Sequence, residues 1–168
     1  MSTQLDDSEA KLISMEHFRG LVEIKKETAI FGAATPVNDV IAILGSYDRM
    51  LSCSPGVIGI QTLAGAIATG THGQGIYQSS YADIVKSLQI VLPNGDLVTV
   101  NESSNDYPLH AFTTAIGTLG IVVAIEISHV PRRIFACHKM TCKLEAMLTN
   151  YDQWNEEHEF VKVRTIES

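Results

Sequence analysis

The sequence predicts an α+β fold in which a mixed sheet is flanked by helices. Three observations carry this prediction: short β-branched and apolar runs separated by turn signals, segments with helical spacing of apolar residues between them, and an Asn-Gly turn joining two of the runs. The chain has 168 residues, of which 45% are hydrophobic and 18% charged. A chain of this length can bury a core without disulfides or metal, which argues against intrinsic disorder.

The first elements predicted are short strands followed by a helix. Apolar and β-branched runs predict strands at residues 11–14, 20–24 and 28–31. Apolar residues with the spacing of one helical face predict a helix over residues 37–44. Thr35 is its expected N-cap, with Pro36 at the first helical position.

Residues 54–75 are unusually rich in glycine, with six of the chain's 12 glycines. Glycines interleaved with Thr62, Thr69 and Thr71 would let the backbone approach a flat or anionic ligand closely. The alternative is a run of tight turns between packed strands, and the residues alone leave both interpretations open. The pattern fits neither a Walker loop nor the dinucleotide fingerprint GxGxxG. His72 either donates to a cofactor oxygen or caps a turn, and as a lone histidine it favours the structural role.

The second half predicts further strands and helices. Its predicted strands are residues 82–92, 97–100 and 121–127, the first two joined by the turn at residues 93–96. A short helix is predicted over residues 106–116, with Leu109, Phe112 and Ile116 on its apolar face.

A change of composition after Pro131 indicates a domain boundary near that residue. Beyond it, the pattern predicts strands at residues 133–140 and 160–163 and a helix over residues 143–157 whose apolar positions are expected in the core. The chain would then divide into a polar N-terminal segment (1–11), a main domain (12–131) and the start of a second domain (132–168).

Charge and cysteine content narrow the classes of partner. The chain carries 12 basic and 19 acidic residues, a net charge of -7, and no basic run longer than two residues. We therefore expect small-molecule or protein partners and no nucleic acid. Three cysteines, an odd number, indicate reduced intracellular thiols. Cys53 is expected to be buried, and Cys137, His138 and Cys142 lack the second Cys/His pair of a structural zinc site, so no metal is expected.

Location follows from what the N-terminal segment and the apolar stretches contain. Residues 1–11 lack the basic and apolar regions of a secretory signal. The longest apolar stretch, residues 115–127, is shorter than the roughly 18–20 residues that a membrane-spanning helix needs. We expect an intracellular protein that is soluble or peripherally associated with a membrane.

From Gln61 to Gly75 the sequence strongly resembles the flavin-binding domain of the sugar-1,4-lactone oxidases. This family includes D-arabinono-lactone, L-gulono-lactone and alditol oxidases, and has the FAD-binding fold of the vanillyl-alcohol-oxidase (PCMH) type. The resemblance extends through residues 83–85, 92–96 and 117–123. It implies that residues 12–131 form the second subdomain of a PCMH-type FAD-binding domain and that residues 132–168 begin a cap domain.

The resemblance also implies a cofactor, a reaction and a set of site residues. The cofactor is FAD, and the reaction is oxidation of a CH–OH group in an aldonolactone or polyol with O2 as acceptor. Thr62 would face the flavin near its reactive edge, and Val122 would contact the far end of FAD through its backbone. The loop around the isoalloxazine, ribityl and pyrophosphate groups would comprise Gly65, Thr69, Gly70, His72, Gly73 and Gly75.

The sequence departs from the family at two places. No Gly-Gly-Gly-His-Ser-like pyrophosphate loop precedes Leu12, and the family's substrate-orienting acid, arginine and lysine would lie beyond Ser168. No catalytic residue is therefore assigned. The alternative hypothesis is a truncated, non-catalytic remnant or interaction module that keeps part of the fold, with self-association through exposed sheet edges.

Overall fold

The fold combines a five-stranded sheet and a two-stranded sheet with helices. The computed structural model describes residues 12–53, 59–104 and 106–164. In these residues the strands are β1 (Leu21–Ile24), β2 (Thr28–Gly32), β3 (Arg49–Met50), β4 (Val85–Val91), β5 (Leu97–Asn101), β6 (Ile121–Ser128) and β7 (Val130–Pro131). The helices are α1 (Val37–Ser46), α2 (Leu63–Ala68), α3 (Leu109–Thr113) and α4 (Leu144–Glu157).

The main sheet has five strands in the order β1-β2-β6-β4-β5, and β3 pairs with β7 in a separate two-stranded sheet. The α+β class is confirmed, but the mixed pairing is wrong because all described pairs are antiparallel. Short turns join β1 to β2 and β4 to β5, which only antiparallel neighbours allow. Strand β6 lies between β2 and β4 and is antiparallel to both.

The predicted hairpin between β4 and β5 is confirmed. Gly95 has a φ of +92°, and the amide of Leu92 donates to the carbonyl of Asp96 at 2.9 Å. The Asn94 side chain accepts from the amide of Asp96 at 3.0 Å. Asn and Gly provide the turn bonding and the positive φ that this connection requires.

The core lies where α1 and α2 pack with the central strands. Its largest fully buried side chains include Phe31 on β2, Leu88 and Ile90 on β4, Ile125 and Ile127 on β6, Leu44 on α1 and Leu63 on α2. These apolar side chains drive the assembly, because each contributes about 1.5–3 kcal/mol when it leaves water completely.

Three predictions near the first helix need correction. Residues 12–14 form no strand; Leu12 is 92% exposed, and Lys11 lies outside the described residues. Thr35 does not cap α1, because its hydroxyl donates to the carbonyl of Gly32 at 2.6 Å and accepts from the amide of Gly20 at 2.9 Å. Pro36 therefore occupies the N-cap position itself.

The later segments also differ from the pattern. Residues 133–140 and 160–163 are not strands, since no described strand pairs with them. Helix α3 ends at Thr113, and Ile116 is exposed with a φ of +54°, so it cannot continue the helical face. Helix α4 is confirmed, but its Leu144 and Leu148 are exposed and do not join the core.

Strands β1 and β5 form the two edges of the main sheet. Self-association through these edges and a domain boundary near residue 131 both stay predictions. Among the described residues, no helix combines the length and the apolar character that crossing a membrane would require.

Gly120 allows β6 to enter the sheet beside β4. Its φ is +150°, and an added Cβ would lie 2.6 Å from the Val91 carbonyl oxygen. We predict that Gly120→Ala lowers the free energy of unfolding by more than about 1 kcal/mol, because backbone must move. Gly45→Ala in α1, where a Cβ meets nothing within 4 Å, should raise it by about 0.5–1 kcal/mol. Urea unfolding measures both, and equal effects would contradict the close approach.

Glu126 on β6 is a polar anchor of the sheet, with a side chain only 17% exposed. Its carboxylate accepts from the Thr28 hydroxyl at 2.7 Å, from Lys25 Nζ at 2.9 Å and from the Ser87 hydroxyl at 3.1 Å. The bond from Thr28, followed by those from Lys25 and Ser87, holds the pKa of Glu126 below its ordinary value although burial opposes them. This stabilisation is present above the unfolded-state pKa and is lost as pH falls through the folded-state pKa.

We therefore predict that Glu126→Gln lowers the free energy of unfolding by about 1–3 kcal/mol at neutral pH and by much less in acid, where the wild-type carboxyl is protonated. Denaturant unfolding across acidic and neutral pH measures the difference. Glu23→Gln is the control, because Glu23 is exposed and lies 4.0 Å from Lys25. A pH-independent effect of Glu126→Gln would contradict this account.

Candidate functional site

A cleft of about 420 Å³ opens between α2, β4 and the segment that leads from α3 into β6. Its walls include Gly65 and Thr69 from the glycine-rich segment, Ile90 from β4 and Val122 from β6. These residues bring together two of the motifs that carry the family resemblance, although they are distant in sequence. The volume is within the roughly 300–1,000 Å³ of small-molecule sites.

Thr62 fixes the beginning of α2. Its side chain accepts from the amide of Gly65 at 3.3 Å, the bond of an N-cap residue. At the other end of the helix, the Thr69 hydroxyl donates to the carbonyl of Gly65 at 2.9 Å. Two of the predicted cofactor threonines thus bond to the backbone of this six-residue helix, Thr62 at its N-cap and Thr69 at its last turn.

Gly70 ends α2 in a left-handed turn. Its φ is +65°, its amide donates to the carbonyl of Ile67 at 3.1 Å, and the amide of Thr71 donates to that of Ala66 at 2.9 Å. This is a Schellman motif, in which glycine is preferred because it has no Cβ. The glycine-rich segment therefore contains a capped helix, which neither sequence interpretation included; residues 54–58 of that segment lie outside the described residues.

The opposite wall of the cleft depends on an irregular backbone before and within β6. Ile116, Gly117 and Gly120 all have positive φ, and the Ile116 amide donates to the carbonyl of Ala68 at 3.3 Å. This bond joins the wall to the end of α2. Consecutive residues of β4 then pair with Ala124 and Val122, which leaves Val123 as an extra residue.

That extra residue forms a β-bulge and changes which side chains face the cleft. In a regular strand, Val122 and Ile125 would point to opposite faces of the sheet. Both line the cleft here, because the bulge between them shifts the alternation by one position. Ile121 also contributes to the lining. The sequence pattern predicts the strand but does not reveal this irregularity.

The remaining predicted site residues lie beyond the Schellman turn. His72 is exposed, forms an isolated bridge with Ser80, and has Nδ1 3.1 Å from the carbonyl of Gly73. Gly75 has a φ of +103°, and an added Cβ would collide with the carbonyl oxygen of Glu159. The structure thus places Gly65, Thr69 and Val122 in the cleft, while Thr62, Gly70, His72, Gly73 and Gly75 lie outside its lining.

The cleft is apolar, and none of the described residues that line it is ionisable. Sequence reasoning missed Ala68, Phe112, Ile116 and Leu119 as parts of its wall. The apolar spacing around Phe112 indicated only a helix face directed at the core. These four residues meet at the cleft through tertiary packing, which the local pattern does not show. Such a cleft can hold a flat ring through apolar contact and exclude water from one side of it, but offers no acid or base.

Two reactive side chains outside the cleft, Cys53 and Tyr81, are buried. Cys53 is buried as predicted, and burial raises the pKa of its thiol to about 11. Burial likewise raises the pKa of Tyr81. Cys137 and Cys142 are exposed, and no group of three or more His, Cys, Asp or Glu residues suited to a metal ion occurs within residues 12–53, 59–104 and 106–164. Asp83 accepts from the amide and hydroxyl of Ser80 at 2.7 and 2.8 Å, which fixes a turn.

An antiparallel sheet with an apolar cleft between α2, β4 and β6 has the shape and lining of a small-molecule-binding domain. The model of a protein family described as "FAD binding domain" matches residues 2–101. The chain belongs to this family, and the predicted cofactor, FAD, is confirmed. The role of each individual residue in holding FAD stays a prediction.

Curated relatives point in the same direction. The D-arabinono-1,4-lactone oxidase of Debaryomyces hansenii is 29% identical over 108 residues, which cover 64% of this chain and 19% of the relative. The L-gulonolactone oxidase of Bos taurus is 26% identical over 141 residues, 84% of this chain and 32% of the relative. The chain spans about a fifth to a third of the length of these relatives.

A solved structure confirms the fold. Alkyldihydroxyacetonephosphate synthase superposes with a TM-score of 0.60 at 19% identity, over 68% of this chain and 22% of that chain. The predicted PCMH-type FAD-binding fold is therefore confirmed, while the assignment of residues 12–131 to its second subdomain and of residues 132–168 to the start of a cap domain stays a prediction.

The cap at Thr62 can be tested separately from any cofactor. We predict that Thr62→Ala lowers the free energy of unfolding by about 1 kcal/mol, because the amide of Gly65 loses its acceptor. Thr62→Ser keeps a capping hydroxyl and should cost much less. Urea unfolding without FAD measures both variants, and equal stability of Thr62→Ala and wild type would contradict the capping role.

Proposed function

We propose that this chain contributes part of the FAD site of an oxidoreductase of the sugar-1,4-lactone oxidase type. The reaction would oxidise a CH–OH group of an aldonolactone or polyol, with O2 as the acceptor. The observation that carries the proposal is that Gly65, Thr69 and Val122, chosen from two separate motifs, line one cleft. The names of the lactone oxidase relatives support the substrate class.

The residues fit a flat cofactor in their shape and chemistry. Gly65 and Thr69 form a thin wall at the surface of α2, so little side-chain bulk stands between a ring and the helix backbone. Ile90, Phe112 and Val122 supply apolar contact on the other walls. We assign the ring to this cleft and propose that the loop from Gly70 to Gly75, including His72 and Gly73, follows the rest of the cofactor.

The described lining of the cleft contains no ionisable group, so we propose different roles for the cofactor and for the residues that hold it. When bound, FAD supplies the redox chemistry by accepting a hydride from the substrate carbon. The chain's own residues bind and orient the ring and exclude water from one side of it. None of them is proposed as a proton donor or acceptor.

Ala68 lines the cleft at the end of α2 and offers a direct test. We predict that Ala68→Leu fills part of the cleft and weakens FAD binding at least tenfold, because the larger side chain occupies the space of the ring. Fluorescence titration with FAD measures the dissociation constant, and the visible absorbance of the purified protein reports flavin retained.

Ala42→Leu is the matched control, since Ala42 is an exposed residue of α1 outside the cleft and both side chains suit a helix. It should bind FAD like wild type. Unchanged affinity of Ala68→Leu would reject the cleft as the ring site. A wild-type chain that is colourless and does not bind added FAD would reject the proposed function for this chain.

A further inference from the structure

The loop that follows α2 is joined to the C-terminal segment by a cluster of polar contacts. The guanidinium of Arg133, just after β7, forms two bonds with the Glu159 carboxylate, Nη2–Oε1 at 2.7 Å and Nη1–Oε2 at 3.2 Å. The Gln78 amide nitrogen donates to Glu159 Oε1 at 3.2 Å. We call Arg133, Glu159 and Gln78 the clasp.

We propose that the clasp positions the glycine loop, residues 70–78, and thereby tunes the affinity of the chain for FAD. The inference rests on the proposed function, because it takes this loop to follow the cofactor. None of the three clasp residues lines the cleft, so they act as positioning residues.

The bonding partners fix the orientation of the Gln78 side chain. A carboxylate can only accept, so the amide nitrogen of Gln78 must face Glu159. This leaves Gln78 Oε1 buried without a hydrogen-bond partner. A buried oxygen without a partner is unfavourable, so the bond to Glu159 and the packing around it must offset that cost.

Gly75 makes the close approach of the two segments possible. An added Cβ would collide with the Glu159 carbonyl oxygen and lie 2.8 Å from Gln78 Cγ. The glycine at this position is therefore required for packing against the C-terminal segment. This second contact lies three residues from Gln78, so the same stretch of loop is held at both its backbone and its side chain.

Aromatic packing supports the clasp from the side of Arg133. The guanidinium carbon lies 5.0 Å from the centroid of the Phe135 ring, and the rings of Phe135 and Phe160 meet edge to face at 5.3 Å. A guanidinium that both stacks on a ring and binds a carboxylate through two nitrogens has little freedom to move away. Its geometry is thus more defined than that of an isolated surface pair.

The expected effect is moderate. The side chains of Arg133 and Glu159 are 51% and 35% exposed, so solvent weakens their attraction. Gly70 and Gly75, both with positive φ, leave the loop many alternative conformations when it is not held. Holding it before the cofactor arrives removes part of the ordering cost of binding.

The test compares Glu159→Gln with Glu156→Gln in the full chain. Both remove one negative charge, but Glu156 is an exposed residue of α4 outside the clasp. Without FAD, hydrogen exchange should be about fivefold faster in Glu159→Gln at the amides of Gln78 and Tyr81, which donate within the loop segment to Gly75 and Thr71. FAD binding should weaken by a similar factor, and Glu156→Gln should change neither.

Two further variants guard against a simple folding defect. Gln78→Ala cuts the clasp from the loop side and should reproduce the faster exchange and weaker binding, with cooperative unfolding retained. The double variant R133E with E159R swaps the two charged side chains and restores an ion pair. It should recover part of the slow hydrogen exchange and part of the FAD affinity.

Unchanged loop exchange in Glu159→Gln and Gln78→Ala would overturn the clasp. Faster exchange with unchanged FAD affinity would overturn its role in positioning the cofactor loop. A wild-type chain that fails to bind FAD would instead reject the proposed function and the tuning of affinity with it, while the exchange measurements still decide whether the clasp holds the loop.

Discussion

The structure depends on the insertion of β6 between β2 and β4. This strand pairs with both neighbours, and its Ile125 and Ile127 are among the most deeply buried side chains. The partly buried carboxylate of Glu126 lies between them in sequence and bonds to side chains on both flanking strands. Strands β2 and β4 do not pair with each other in the main sheet, and each is joined to the other only through its pairing with β6, which follows both in the chain.

The glycines of the resembling motifs serve different physical needs. Gly70 provides the left-handed turn that ends α2, Gly120 permits β6 to pass beside Val91, and Gly75 permits the contact with Glu159. Only Gly65 among the predicted cofactor glycines lines the cleft. A high density of glycine therefore indicates that the backbone needs positive φ angles or close approaches. Only a glycine whose missing side chain also leaves the cleft open, such as Gly65, is placed to contact a cofactor.

Local patterns predicted the elements whose stability is local or whose apolar residues are continuous. The Asn-Gly hairpin, α1, α4 and β6 all belong to this group. The patterns failed where the structure depends on partners outside the local segment. The Thr35 hydroxyl bonds to Gly20 and Gly32 and does not cap the helix, and no described strand pairs with residues 133–140. For the site, the motifs indicated Gly65, Thr69 and Val122, but Phe112 and Ile116 join the cleft only through tertiary packing that no local spacing encodes.

The bulge at Val123 links the sheet to the cleft in a way that a regular strand could not. On the side of β2, where the register is regular, the Val123 carbonyl accepts from the amide of Ala33 at 3.0 Å, which extends the β2–β6 pairing beyond Gly32 and Ala124. The register shift on the side of β4 turns Val122 toward the cleft beside Ile125. A register without the bulge would send Val122 to the opposite face. The irregularity in β6 thus lets a central strand of the sheet present both Val122 and Ile125 to the cleft.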